Sequence, residues 1–316
     1  MAKFTVIGDP HAKPNNLDRI TQLFDMIEKL GNPCIILGDL LDTKELIRGK
    51  CLNHYFRRLS QSNLEFIILV GNHDWFNLEC QDHSLETLAV LPNVTIVDTP
   101  MTLHGCHFWP YMPEHVPAGF DKLERLPVFC HIDSPGFDYG NGHVSDHGAD
   151  YQTLRHFPRV ISGHYHKYQE KEFFTYLGTP FSHSFGESNQ TKYIGIFDTE
   201  THELELIETD FPKHLTLEIN VDEVAPDALD LQLTLPDINQ VRVVLSGSQK
   251  AMDAWSLAEH PNIKWLTKPT REISKAVIDE TFTPEKQFLV WAKEVANLDP
   301  SVVELGLEVL LNVSKN

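Results

Sequence analysis

Phe66-Ile67-Ile68-Leu69-Val70-Gly71-Asn72-His73-Asp74 is the stretch on which the reading turns. Five consecutive apolar residues, three of them β-branched, read as a strand buried on both faces. A glycine then permits a tight turn, and an amide, an imidazole and a carboxylate follow it. The pattern recurs through the first half of the chain. Asp9-Pro10-His11 follows the apolar run 4–8, and Gly38-Asp39-Leu40-Leu41-Asp42 closes and follows the run 34–38. His131 follows 128–130, and Gly163-His164-Tyr165-His166 follows 160–162. Strand ends are where an α/β sheet forms its ligand crevice. A single motif of this kind carries little weight. The ordered set predicts a site for two metal ions acting on phosphate esters.

Between these runs lie helical patterns. Residues 16–30 put Leu17, Ile20, Phe24, Ile27 and Leu30 on one face, and a second helix is predicted over 44–60. The resulting βαβαβ order implies parallel strands with helices on their faces. After Leu91 short strands come close together, at 94–97, 106–109, 128–130, 160–162, 173–177, 193–197 and 203–207. The predicted fold is α/β, with two packed sheets and outer helices. A polar, Pro-containing stretch at 222–236 introduces a small α/β unit with strands at 241–245 and 262–266 and a helix at 248–259. The tail reads as a helical hairpin. Thr283-Pro284 supplies an N-cap with Pro at the first helical position. The first helix runs to about 296 and presents Phe288, Leu289, Trp291 and Val295; the second starts at Asp299-Pro300 and carries Leu307 and Leu310. Such an apolar hairpin packs on the chain's own core or docks a partner helix.

Donor chemistry narrows the metal. Carboxylate with imidazole suits Mn²⁺, Fe²⁺ or Zn²⁺. Asp39, one residue past a strand, is placed to bridge two ions. Asp42 reads either as a residue supporting the site or as a cap for the following helix. Asp74 reads as a further ligand or as a turn residue. His73, beside Asn72 but pointing elsewhere, would face substrate.

The set D-x-H, G-D-x-x-D, G-N-H-D, H, G-H-x-H resembles the motif series of the calcineurin-like metallophosphoesterases, over roughly residues 1–210. The resemblance implies the two-sheet metallophosphoesterase sandwich and two ion sites. One takes Asp9, His11, Asp39 and His166; the other takes Asp39, Asn72, His131 and His164. It further implies that water activated between the ions attacks phosphorus, that His73 serves the leaving oxygen, and that Asp42 orients His73. The stretches Tyr176-Leu177-Gly178-Thr179-Pro180-Phe181-Ser182, Phe185-Gly186-Glu187 and Lys192-Tyr193-Ile194-Gly195-Ile196-Phe197 resemble SbcD-type DNA exonuclease subunits, including bacteriophage ones. That resemblance implies a nuclease domain at 1–212, a capping domain at 213–281 and a C-terminal helical segment at 282–316. It implies Mn²⁺-dependent cleavage of DNA, exonucleolytic on duplex ends and endonucleolytic on single strands. It also implies an SbcC-like coiled-coil ATPase partner, docked through Phe288, Trp291, Val295, Leu307 and Leu310, with a homodimer inside a heterotetramer.

Composition sets limits on this. A net charge of −19 argues against a broad DNA-binding face, which is usually basic; metal ions or a basic partner would offset it. Lys13, Arg57, Arg58 and His183 are candidates for DNA contact or ordinary surface residues. The acidity also keeps open a phosphoprotein phosphatase or small-molecule phosphodiesterase. Five cysteines without a C-x-x-C pair predict reduced thiols. No apolar run nears the roughly 20 residues that span a bilayer, and no leader precedes the first strand, so the expectation is a cytoplasmic protein.

Overall fold

The computed structural model describes residues 3–43, 46–77, 79–224, 239–255, 261–269, 283–292 and 299–313. The chain divides into two compact units. The first comprises Met1–Thr216 and Leu235–Arg242, and the second Leu217–Thr234 and Val243–Asn316.

The first unit opens with β1 (Lys3–Ile7), α1 (Leu17–Leu30), β2 (Cys34–Ile36), α2 (Gly49–Gln61), β3 (Phe66–Leu69) and β4 (Val94–Val97). β5 (Met101–Leu103), β6 (Cys106–Trp109), β7 (Val128–Cys130), β8 (Val160–Ser162), β9 (Gln169–Lys171) and β10 (Phe174–Tyr176) follow, then β11 (Tyr193–Asp198) and β12 (Leu204–Glu208). They build two six-stranded sheets, ordered β12-β11-β1-β2-β3-β4 and β5-β6-β7-β8-β10-β9. β1 to β4 are parallel neighbours, as the βαβαβ order predicts. In the other sheet β6, β7, β8 and β10 are parallel, and antiparallel β5 and β9 close its edges.

Side-chain alternation explains how one strand serves two layers. Phe66 and Ile68 of β3 pack with Phe24, Ile27, Tyr55 and Leu59 of the helices. Ile67 and Leu69 point the other way, into a core shared with Phe108, Phe129 and Ile161 of the second sheet. A third cluster, with Trp109, Phe137, Phe157 and Tyr176, includes the alternate side chains Val128, Cys130 and Val160 of the second sheet. The predicted sandwich is therefore observed, with a buried apolar inter-sheet layer that fixes the strand ends against one another.

Some elements differ from expectation. In α1, Leu23 is buried and Leu30 is exposed. α1 ends at Gly31, whose left-handed backbone (φ 72°) returns its N–H to Ile27 O. α2 begins at Gly49, not Lys44; Lys44 itself lies outside the described residues. Its N-cap is Arg48, without a side-chain cap bond, so Asp42 caps nothing there.

Strands β13 (His214–Asn220) and β14 (Gln240–Gly247) begin in the first unit and continue into the second, where β15 (Ile263–Pro269) completes a three-stranded sheet. The short helix Gln249–Met252 is capped by Ser248. Helix Pro284–Val290 carries the expected Thr283 cap, whose hydroxyl accepts Lys286 N–H, and helix Pro300–Val313 follows. A Cβ at Gly306 would collide with the Phe288 ring, so the glycine allows the two helices to close. Among the described residues, no helix is long and apolar enough to cross a membrane.

Candidate metal centre

Five strand ends deliver the candidate ligands to one place. Asp9 and His11 follow β1, Asp39 follows β2, Asn72 follows β3, His131 follows β7, and His164 and His166 follow β8. Two groups of donors result: Asp9, His11 and His166, and Asp39, His131 and His164. Within each group the donor atoms lie within 4.8 Å of one another. Asp39 faces both groups. Its Oδ2 is 3.5 Å from His11 Nε2 and its Oδ1 is 3.6 Å from His131 Nε2. Asn72 Oδ1 lies 3.0 Å from His131 Nε2 and 2.9 Å from His164 Nδ1.

The local chain is shaped for this convergence. His11, Asp39 and His164 all have positive φ, at 42°, 47° and 84°. Non-glycine residues hold that conformation only when their surroundings enforce it, and such strain collects at functional sites. Glycine is also required on steric grounds. A Cβ at Gly71 would collide with Asp39 N and Oδ1, and one at Gly163 with Asp9 Oδ1.

Outer hydrogen bonds orient three of the imidazoles. His131 Nδ1–H donates to Leu37 O at 2.7 Å, which turns Nε2 towards Asp39. His164 Nε2–H donates to Asp133 Oδ1 at 2.9 Å, leaving Nδ1 facing Asn72. His166 Nδ1–H donates to Glu187 Oε1 at 2.9 Å, leaving Nε2 3.0 Å from His11 Nε2. Rings tied through one nitrogen to a carbonyl or carboxylate present the other as a ligand. Glu187 is itself held by Lys192 Nζ at 2.7 Å and by the Thr179 hydroxyl at 3.0 Å, both buried.

The electrostatics fit a cation. Burial pushes the Asp9 carboxyl well up, and the charge of Asp39 adds to it. Asp9 Oδ1 is buried without a hydrogen-bond partner. Burial lowers His11 well below its ordinary value, helped by His166, and takes His131 down to about 4. Divalent cations would remove the penalty on the crowded carboxylates, and neutral imidazoles are the form that ligates. The oxygen and nitrogen donors therefore fit two ions.

His73 sits beside the centre with its ring edge-on to His11 at 4.9 Å. Its backbone N–H donates to Asp39 Oδ1 at 2.7 Å. Asp42 meets His73 through its main chain: His73 Nδ1–H donates to the Asp42 main-chain oxygen at 2.8 Å. The Asp42 carboxylate pairs with Lys13 at 3.0 Å and lies 3.8 Å from His11 Nδ1. Asp74 is a structural residue. Its buried carboxylate accepts the N–H groups of Leu40, Leu41 and Gly71, stitching together the loops after β2 and β3. Of the DNA-contact candidates, Lys13 and His183 border the site, whereas Arg58 pairs with Asp25 on the helical layer. Trp291 is 42 % exposed, and Phe288 and Leu307 are half-buried. Val295 and the side chain of Leu310 lie outside the described residues.

The calcineurin-like phosphoesterase family model matches residues 2–168, more than half of the chain and all seven candidate ligands. The chain belongs to the calcineurin-like phosphoesterase family. Its enzyme class is therefore metal-dependent phosphoester hydrolysis, and the family is one that uses a dinuclear metal centre. Exonuclease subunit 1 of Enterobacteria phage T4 is 30 % identical over 207 residues, 60 % of this chain and 60 % of that protein. The chain thus spans about 60 % of the length of that relative. A putative phosphoesterase, 244L, of Invertebrate iridescent virus 6 is 28 % identical over 286 residues, 80 % of this chain and 96 % of the relative.

Proposed function

We propose that the chain is the nuclease subunit of an SbcCD-like complex, cleaving DNA phosphodiesters with two Mn²⁺ ions in repair, recombination or phage DNA processing. The observation that carries the reading is the pair of adjacent donor groups with Asp39 facing both, in a chain similar to a phage exonuclease subunit. Asp9, His11, Asp39 and His166 would hold one ion, and Asp39, Asn72, His131 and His164 the other. Bound cations would neutralise charge on the phosphoryl oxygens and acidify a water. The chain's residues do the rest. Leu37 O, Asp133 and Glu187 keep the ring nitrogens aimed inward. With Nδ1–H tied to Asp42 O, His73 presents Nε2 towards substrate, where it can hold a proton for the departing oxygen. No protein nucleophile is needed.

The proposal extends to organisation. Residues 1–212 are the nuclease domain, 213–281 a cap and 282–316 the docking segment for the coiled-coil ATPase, in a heterotetramer with two copies of this chain. Exposed Trp291, Val302 and Leu305 in that segment support the docking role. A second reading is a phosphatase or small-molecule phosphodiesterase, favoured by the −19 charge and the viral phosphoesterase likeness. Rates on a duplex oligonucleotide and on a phosphomonoester, both with Mn²⁺, separate the two. Nucleotide release from DNA is the expected result; turnover of the monoester alone would overturn the nuclease reading.

A further inference from the structure

A second concentration of donor groups borders the metal centre. It is a cavity of about 330 Å³ whose lining includes Lys13, Asn16, Arg19, His183, His214 and Gln240. None of its lining residues is acidic, in a chain with 45 acidic and 26 basic residues. The cavity reaches the centre through His183, whose ring lies 5.3 Å from that of His11 and 5.8 Å from that of His166.

The lining is positioned by its own contacts. Ser182 holds two members: its carbonyl accepts Arg19 Nη1–H at 2.9 Å, and its hydroxyl meets His214 Nδ1 at 2.8 Å. The Arg19 guanidinium lies over the buried Phe181 ring at 5.9 Å. Lys13 pairs with the Asp42 carboxylate at 3.0 Å, but both side chains are partly exposed, and such pairs exchange partners at little cost. Arginine, lysine and imidazole together match a phosphate, which accepts several charge-assisted hydrogen bonds. The lining has no Phe, Tyr or Trp on which a nucleobase would stack.

We propose that this cavity is a second phosphate subsite: as the metal centre takes the scissile diester, Arg19, Lys13 and His214 hold the phosphate one position along the strand. The inference rests on the nuclease reading. It accounts for how an acidic chain engages a polyanion, since a local positive pocket draws phosphate whatever the overall charge. The neighbouring phosphate is either an internal diester or a terminal monoester.

Three thymidine substrates distinguish these sources: TpT with one diester, TpTpT with two, and pTpT with one diester and a terminal phosphate. The expected result is a KM about tenfold lower for TpTpT, pTpT or both than for TpT, with Arg19→Gln raising the lower values far more than that of TpT. A gain confined to TpTpT or to pTpT identifies the internal or the terminal phosphate. Equal KM for all three, or an equal effect of Arg19→Gln on all, overturns the subsite. An independent reading uses metal-free protein titrated with inorganic phosphate at constant pH, followed through the ring-proton NMR signals of His183 and His214. Both should shift, Arg19→Gln should remove the shift, and Arg19→Lys, which keeps the charge, should restore part of it. No shift in the unaltered protein overturns the subsite whatever the kinetics. Shifts without cleavage of these substrates or of a duplex oligonucleotide would keep the anion site and reject the nuclease reading.

Discussion

Replacing Gly71 by Ala adds one methyl group at the tightest point of the centre. Its Cβ would collide with Asp39 N and Oδ1 and would sit 2.9 Å from Asp39 Cγ, where ordinary contact begins at 3.4 Å. The carboxylate would have to retreat by about 0.5 Å, the difference between those distances, and its Oδ1 further. Gly71 does not have a positive φ, so the effect is steric and not a matter of backbone conformation. Asp39 cannot move alone, because Oδ1 also accepts His73 N–H at 2.7 Å and faces His131. Overpacking of this kind costs roughly 1–3 kcal/mol, and disturbing the support of a metal ligand lowers affinity about 10–100-fold. Calorimetric titration with Mn²⁺ and thermal unfolding of the metal-free variant measure the two effects. Gly31→Ala is the control. Gly31 has φ 72° with nothing within 4 Å of an added Cβ, so it should lose on the order of 1 kcal/mol through the backbone and bind Mn²⁺ normally. Wild-type affinity and stoichiometry in Gly71→Ala would refute the placement of Asp39 between two ions.

Other outcomes follow from the same geometry. His73→Asn should lower kcat by about 10²–10⁴-fold with Mn²⁺ stoichiometry retained; steady-state kinetics beside metal analysis would show it, and near-normal turnover would remove His73 from the reaction. Asp133→Asn keeps the shape but not the charge beside His164, and should weaken Mn²⁺ binding about 10–100-fold, read by titration. Glu187→Ala leaves the Lys192 ammonium, 3 % exposed, without its carboxylate, and should cost roughly 3–5 kcal/mol in urea unfolding. Burial pushes the Cys106 and Cys130 thiols up to about 12 from 9.0. Folded values above unfolded ones mean their contribution to stability is intact below pH 9 and lost as pH rises through 12; a denaturation series across that range should show it, and Cys130→Ala should make the loss smaller.

The candidate ligands were legible because each rides on a short local signal, an apolar run followed by a turn. Gly71-Asn72-His73 is readable without knowing any other part of the fold. His131 was legible only in company, since nothing local marks it. The residues that orient the rings were harder to see. Asp133 serves His164 from 31 positions away and Glu187 serves His166 from 21 positions away. Carboxylates at such separations look like any solvated charge until the sheets bring them together. The same holds for Asp42, which meets His73 through its main-chain oxygen, a contact that no side-chain pattern marks. Among elements, β9 (Gln-Glu-Lys) is not legible in the sequence, because a polar three-residue edge strand has no apolar pattern. The amphipathic face of α2 predicted a helix but not its start, because no N-cap side chain marks Gly49.

An anomalous-difference map from Mn²⁺-soaked crystals would show whether Asp39 joins two divalent cations. Two peaks about 3.5–4 Å apart are expected, one beside Asp9, His11 and His166 and one beside Asn72, His131 and His164, with an Asp39 oxygen at each. A single peak, or none within reach of Asp39, would contradict it.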